Sequence, residues 1–300
     1  MSERLCLLSV HAHPDDEASK GAGTVARYAA NGVHTVLVCC TGGEEGDILN
    51  PAMDRPDVRE RLAEIRREEL ARAAEAIGYA EVVLLGYRDS GMPGTEANAH
   101  PDSFARADLD EAVGRLVREI RRARPQVIVT YHEDQKGYPH PDHLRVHDIS
   151  VLAFDRAGDP SAYPDLGEPW QPLKMYYTLW SHRRTRALHE KHLELGLESP
   201  WGDRLEGPGN DHYITTVIDV TGHTRARREA LLAHATQIDP TSPRWFGLPP
   251  DVADAVHPFE EYTLARSLVE TTLPEDDLFA GVVEGAGGAA THSAVPADRR

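Results

Sequence analysis

Two hydrophobic patterns alternate along the first half of the chain. Residues 5–10 (LCLLSV), 34–41 (HTVLVCCT), 82–87 (VVLLGY) and 126–131 (QVIVTY) are short apolar runs bounded by turn residues, the form taken by strands buried on both faces. Between them, apolar positions recur at helical spacing. Residues 19–31 are rich in alanine and stop before Gly32. Residues 58–77 carry Leu62, Ile65, Ala73 and Ile77 among i,i+4-spaced charges and stop before Gly78, glycine being a common helix terminator. Within 108–123, Leu109, Val113, Leu116, Val117 and Ile120 make one clean face. This alternation predicts an α/β fold: a Rossmann-like, mainly parallel sheet flanked by helices, with right-handed crossovers.

After about residue 145 the pattern is less regular. It predicts strands at 174–179 and 213–220 and helices near 145–157, 182–196 and 222–236. The Pro- and Asp-rich stretch 158–172 reads as a boundary or long loop. The expected organisation is a metal-binding core over 1–157 and a smaller α+β portion over 158–284 that completes the fold and the substrate pocket. The small, polar tail at 285–300 has nothing to bury and is expected to be disordered. No internal repeat is visible.

The polar motifs follow the strands. HAHPDDE (11–17) comes after the first, TGGEEGDILNPAMD (41–54) after the second, YRDSGMPG (87–94) after the third and YHEDQKGYPHPDHLRVH (131–147) after the fourth. If the strands are parallel, all four motifs meet at one sheet edge, where open α/β sheets bind ligands. The chemistry gathered there is that of metal ligands. His13 and Asp16 stand three apart on a turn stiffened by Pro14, with Asp15 left free beside them, and His140 and His143 repeat the spacing. Two histidines and a carboxylate around one ion leave a position for water, as in catalytic zinc sites. Zinc brings the pKa of such a water near ~7, and a neighbouring carboxylate can take its proton. Iron(II) also accepts such a donor set.

Each piece has a plainer reading. His-x-x-Asp is also the pattern of a helix N-cap beside a turn, and Asp89 could merely cap the turn at Ser90–Gly91. TGGEEGD could be a tight turn; its two glutamates repel phosphate and suit sugar hydroxyls better. His182, His189, His192, His223, His257 and His292 sit in polar or helical settings and read as surface residues.

Composition narrows the partner. Acidic residues outnumber basic ones 49 to 32, for a formal charge of −17, which argues against nucleic acid and acidic membrane surfaces and leaves a small-molecule substrate. No run approaches the ~18 apolar residues of a membrane span, and the start lacks the form of a signal peptide. A cytoplasmic location is expected. Cys6, Cys39 and Cys40 are an odd set in apolar surroundings and read as reduced core thiols. The basic residues are 28 arginines and only four lysines, Lys20, Lys136, Lys174 and Lys191. The sequence sets no oligomeric state.

HAHPDDE, TGGEEGD and GYPHPDH (137–143), each after its strand, resemble the LmbE-like (PIG-L) superfamily of zinc-dependent N-deacetylases and amidases. DILNPAMD (47–54), HATQIDP (234–240) and DLFAG (277–281) look like its branch of amidases that act on mycothiol S-conjugates. The likeness runs from about residue 3 to 283. It implies His13, Asp16 and His143 as zinc ligands and Asp15 as the general base. It further implies that His140 stabilises the oxyanion or protonates the leaving amine, that Asp142 orients His140, and that Tyr138 polarises the carbonyl. Lys20, typically lysine in the amidase branch, Asp47, Arg66 and Asp89 would contact substrate. The implied reaction is hydrolysis of the amide in mycothiol S-conjugates, a step of detoxification. One alternative is deacetylation of N-acetylglucosaminyl-inositol. A second is a non-catalytic sugar- or metal-binding protein on the same scaffold.

Overall fold

The computed structural model describes residues 4–133 and 138–282; the expected tail at 285–300 and His292 lie outside them. Seven strands form one sheet: β1 Cys6–His11, β2 His34–Thr41, β3 Glu81–Tyr87, β4 Val127–Thr130, β5 Lys174–Leu179, β6 Thr216–Asp219 and β7 Phe259–Ser267. Their spatial order is β3-β2-β1-β4-β5-β7-β6. β1 to β5 are mutually parallel, and β7 runs antiparallel to both β5 and β6. The chain winds from β1 outward through β2 to β3, then returns to place β4 on the other side of β1. The switch point therefore lies between β1 and β4, and the HAHPDDE loop and residues 138–143 flank it.

The main helices are α1 Asp16–Ser19, α2 Ala22–Ala30, α3 Leu62–Ile77, α4 Leu109–Ala123, α5 Pro141–Arg156, α6 His182–Glu194 and α7 Thr224–Ala233. Two apolar layers cover the sheet. Cys6, Leu8, Val10, Val36, Val38 and Cys40 face α4 and α5, while Leu7, Leu37 and Cys39 face α2, α3 and α7. Strand periodicity sends adjacent Cys39 and Cys40 to opposite faces, and all three cysteines are free and buried. Burial pushes the Cys6 thiol up to about 12, the state of inert core thiols.

Two elements depart from the sequence reading. The helix expected near 145–157 begins at Pro141, with His140 as its N-cap. Proline at the first helical position lacks only an N–H that no helix would use there. β7 (FEEYTLARS) was not anticipated, because Glu260 and Glu261 interrupt its apolar pattern. Both are nonetheless buried, since each has internal partners: Glu260 accepts from the amides of Gly23 and Thr24, and Glu261 pairs with Arg183 and His257. His192, read as a surface residue, is buried and holds the Leu188 carbonyl through Nδ1. Among the described residues no helix is long and apolar enough to cross a membrane.

The C-terminal stretch is tied to β5 by a buried ion pair between Lys174 and Glu275, reinforced by the Tyr176 hydroxyl at 2.7 Å from Glu275 Oε2. Removing one partner of such a pair strands a buried charge. Lys174→Met is therefore expected to lower unfolding stability by about 3–5 kcal/mol in urea titration. The double variant Lys174→Met/Glu275→Leu should recover most of the loss.

Candidate metal centre

The parallel sheet brings the β1 and β4 loops face to face. His13 leaves β1 on a turn whose next residues are Pro14 and Asp15, and Asp15 adopts φ 110, a left-handed value rare for a residue with a side chain. That backbone turn starts α1 at Asp16 and points its carboxylate back: Asp16 Oδ2 accepts from the His13 amide at 3.0 Å. From the other loop, α5 presents His143 on its first turn.

His13 Nδ1 and His143 Nε2 each lie 3.4 Å from Asp16 Oδ2. The three residues are buried, and their ligand atoms lie within 4.8 Å of one another. For metal–ligand bonds of about 2.0–2.1 Å, adjacent corners of a tetrahedron are about 3.3–3.4 Å apart. Neither ring nitrogen of His143 has a hydrogen-bond partner, although it is almost wholly buried. Burial works against protonated His13, but Asp142, Asp16 and Asp89 together hold its proton well above the ordinary range. A cation in their midst takes the place of that proton. The donor set, its spacing and its unspent nitrogens fit a four-coordinate zinc ion. A second group, His13, Asp89 and His140, is also close enough to share a cation. There, however, His13 turns its Nε2 edge, which lies 3.3 Å from Asp142 Oδ2 and 3.6 Å from Asp89 Oδ1. Carboxylates on the far nitrogen are the usual outer partners of a ligating histidine.

The other expected residues divide. Asp15 keeps a carboxylate that is 30% exposed and 3.1 Å from Arg66 Nη2. Burial raises that carboxyl, and Arg66 draws it back. Tyr138 is half exposed, its ring stacked over His140 and edge-on to His143. His140 Nδ1 accepts from the Asp142 amide at 3.2 Å, which leaves the proton on Nε2. Burial, with His13 adjacent, brings His140 down to about 4. Lys20 Nζ reaches Asp16 Oδ1 at 2.5 Å and lies 5.4 Å from the centre of the Tyr131 ring.

Four of the expected residues have surroundings that spacing does not convey. Asp142 meets His140 through its amide; its carboxylate binds the Ser90 amide at 2.9 Å, the Ser90 hydroxyl, and His13. Arg66, expected to touch substrate, is only 2% exposed, its guanidinium spent on the Gly43 and Pro14 carbonyls and on Asp15. Asp89 is buried beside His13 and also caps the turn, accepting from Gly91 N at 2.8 Å. Asp47 is exposed, and it is its backbone carbonyl that Gln237 engages. The glutamates of TGGEEGD stitch loops together: Glu44 accepts from the Asp89 amide, and Glu45 pairs with Arg88.

A buried layer beneath Asp15 has no counterpart in the sequence reading. Glu17 Oε1 lies 2.5 Å from His234 Nε2, both wholly buried, and Glu17 Oε2 accepts from the Asp15 amide at 3.0 Å. Glu69 holds the Thr236 amide and hydroxyl at 2.8 and 2.6 Å. The string HATQIDP was the available signal, since a histidine, threonine and glutamine in an apolar setting require internal partners. His234→Ala leaves Glu17 charged and unpaired. We expect a loss of about 3–5 kcal/mol in urea unfolding and slower turnover with the metal retained, with His234→Gln milder on both counts.

Comparison with known proteins identifies the family. Residues 8–154 match the family described as PIG-L: GlcNAc-PI de-N-acetylase. Over 296 residues the chain is 48% identical to the mycothiol S-conjugate amidase of Streptomyces coelicolor, covering 95% of this chain and 100% of the relative. Over 290 residues it is 41% identical to the 1D-myo-inositol 2-acetamido-2-deoxy-alpha-D-glucopyranoside deacetylase of Streptomyces scabiei, covering 92% and 89%. Its fold is similar to that of N,N'-diacetylchitobiose deacetylase from Pyrococcus horikoshii, with a TM-score of 0.58 at 17% identity over 87% and 84% of the two chains. With a likeness that runs almost from end to end, the chain belongs to the PIG-L, or LmbE-like, family of amide hydrolases.

Proposed function

We propose that this protein hydrolyses the amide of mycothiol S-conjugates, releasing glucosaminyl-inositol and a mercapturic acid, with zinc held by His13, Asp16 and His143. The observation that carries the substrate is the 48% identity to an amidase over nearly the whole chain, against 41% to the deacetylase. Zinc is the metal we assign because two histidines and a carboxylate with an open position are a donor set of catalytic zinc, and the 3.4 Å donor spacings are compatible with a tetrahedron.

Zinc at this point supplies Lewis acidity, acidifying water and polarising an amide carbonyl. The chain's own groups do the rest. Asp15, whose carboxylate remains open to solvent, takes the proton of the attacking water. His140, with its proton fixed on Nε2, and the Tyr138 hydroxyl donate to the carbonyl oxygen as it gains charge. Attack forms the C–O bond and moves an electron pair onto the carbonyl oxygen; when that pair returns, the C–N bond breaks and the proton on Asp15 passes to the leaving nitrogen. Arg66 and Glu17 hold Asp15 in place throughout. Lys20, 29% exposed at the side chain and paired with Asp16, is the residue we assign to the conjugate's thiol-bearing arm.

The test is a ratio of kcat/KM for a bimane conjugate of mycothiol to that for N-acetylglucosaminyl-inositol. The conjugate is expected to be favoured at least about tenfold; preference for the acetyl sugar would establish the deacetylase instead. Lys20→Ala should lower the rate on the conjugate more than on the acetyl sugar.

A further inference from the structure

The carboxyl edge of the sheet carries a second concentration of charge, displaced from the metal centre toward β6. Arg184, Arg227 and Arg244 gather among Trp180, Trp201 and Trp245, three of the chain's four tryptophans. The Arg184 guanidinium lies 4.2 Å from the centre of the Trp180 ring. Arg227 is 5.3 Å from Trp180 and 5.5 Å from Trp245, and Arg244 is 5.3 Å from Trp245. Arg184 is 8% exposed.

Among the described residues none of these three arginines has a carboxylate within ion-pair distance, whereas neighbouring Arg228 is paired with Asp254 at 2.8 Å. The nearby acids are committed elsewhere. Glu260 accepts from the Gly23 and Thr24 amides at 3.2 and 2.8 Å, and Glu261 serves Arg183 and His257. Nε of both Arg227 and Arg244 is buried without a partner, as is the indole N–H of Trp180 and of Trp201. Burial and the adjacent Arg184 bring Arg227 down to about 9. Like charges gathered in a desolvated place raise the energy of the free protein unless an anion joins them. In a chain of net charge −17, such a cluster is a local reversal of the field.

Arg184 and Arg227 line a pocket whose other walls include Leu188, Leu231, Trp245 and Phe246. Asp254 and Glu260 also line it, the first paired with Arg228 and the second held by the Gly23 and Thr24 amides, so that Arg184 and Arg227 are left as its unpaired charges beside apolar and aromatic walls. We propose that this pocket binds an organic carboxylate, its charged head on Arg184 and Arg227 and its apolar or aromatic body against Leu188, Leu231, Trp245 and Phe246. Guanidinium groups bind carboxylates through paired N–H donors, and the pocket supplies two such groups beside an apolar wall. The cation–π stacking alone accounts for Arg184 over Trp180; it leaves the buried donors of Arg227 and Arg244 unused.

The test uses the full chain and no turnover. Tryptophan emission reports directly on this cluster. Titration with benzoate is expected to give a saturable change, with benzyl alcohol, the same body without charge, at least about tenfold weaker. Inorganic phosphate, a charge without a body, should also bind more weakly than benzoate. Arg184→Gln and Arg227→Gln should each weaken benzoate about tenfold. Should either variant fail to fold, the wild-type contrast between benzoate and benzyl alcohol still decides. No saturable response to benzoate, equal affinity for benzyl alcohol, phosphate as tight as benzoate, or a response untouched by both variants would each overturn the proposal. The last outcome would place benzoate elsewhere, and none of these measurements depends on which amide the enzyme cleaves.

Discussion

Asp15→Ala is expected to keep its zinc and to lose about 10²–10⁴-fold in kcat, the span typical of a missing general base. Asp15 stands outside the ligand set of His13, Asp16 and His143, so metal analysis should return the wild-type content. Its carboxylate is the one beside the cluster that combines solvent access with a fixed cation, Arg66 Nη2 at 3.1 Å. The backbone provides a second, independent readout. Asp15 sits at φ 110, a conformation that costs a side-chain-bearing residue of order 1–3 kcal/mol and that glycine enters freely. Asp15→Gly should therefore be as inactive as Asp15→Ala yet more stable than it in urea by about 1 kcal/mol. Loss of zinc together with activity would reassign Asp15 to the metal. Turnover close to wild type would remove it from the chemistry altogether.

His143→Ala is expected to strip the metal and, with it, all activity that a chelator removes from the wild type. Because neither His143 ring nitrogen makes a hydrogen bond, the substitution breaks none within the chain and removes only the 3.4 Å contact with Asp16. Its cost to the metal-free fold is then packing alone, about 1–3 kcal/mol for a truncated buried ring. Metal analysis and thermal unfolding of the variant beside metal-free wild type separate the two effects: zinc content collapses while the unfolding curve shifts by no more than that packing cost. The result also chooses between the overlapping clusters. If His143→Ala retains zinc at wild-type affinity, the ion belongs with His13, Asp89 and His140. In that event His140→Ala is the variant that loses it.

Much of this arrangement could be read from the chain because parallel strands turn linear order into position. Motifs that follow successive strands must share an edge, so HAHPDDE and HPDH could be placed together before any coordinates. The unbroken apolar runs of β1 and β2 likewise announce burial on both faces. What escaped was polarity resolved by distant partners. Glu260 and Glu261 hide β7 because most of the residues that satisfy them, Gly23, Thr24 and Arg183, lie far away in sequence. Arg66 carries the same lesson in reverse. An arginine on a helix near the site invites a substrate role, but the turns of Pro14 and Gly43 place their carbonyls where its guanidinium lies. Whether such a side chain faces ligand or scaffold depends on loop geometry, which spacing does not encode.

The buried pairing of Glu17 with His234 bears on how this protein can be divided. The stretch matched by the family, residues 8–154, contains every proposed metal ligand and Asp15, the proposed base. Yet the Asp15 amide rests on Glu17, and Glu17 rests on a histidine eighty residues beyond that stretch. The family signature is therefore not a portable catalyst. A chimera that exchanges 8–154 between relatives places one parent's base on the other parent's support, and His234 must travel with the motif it sustains.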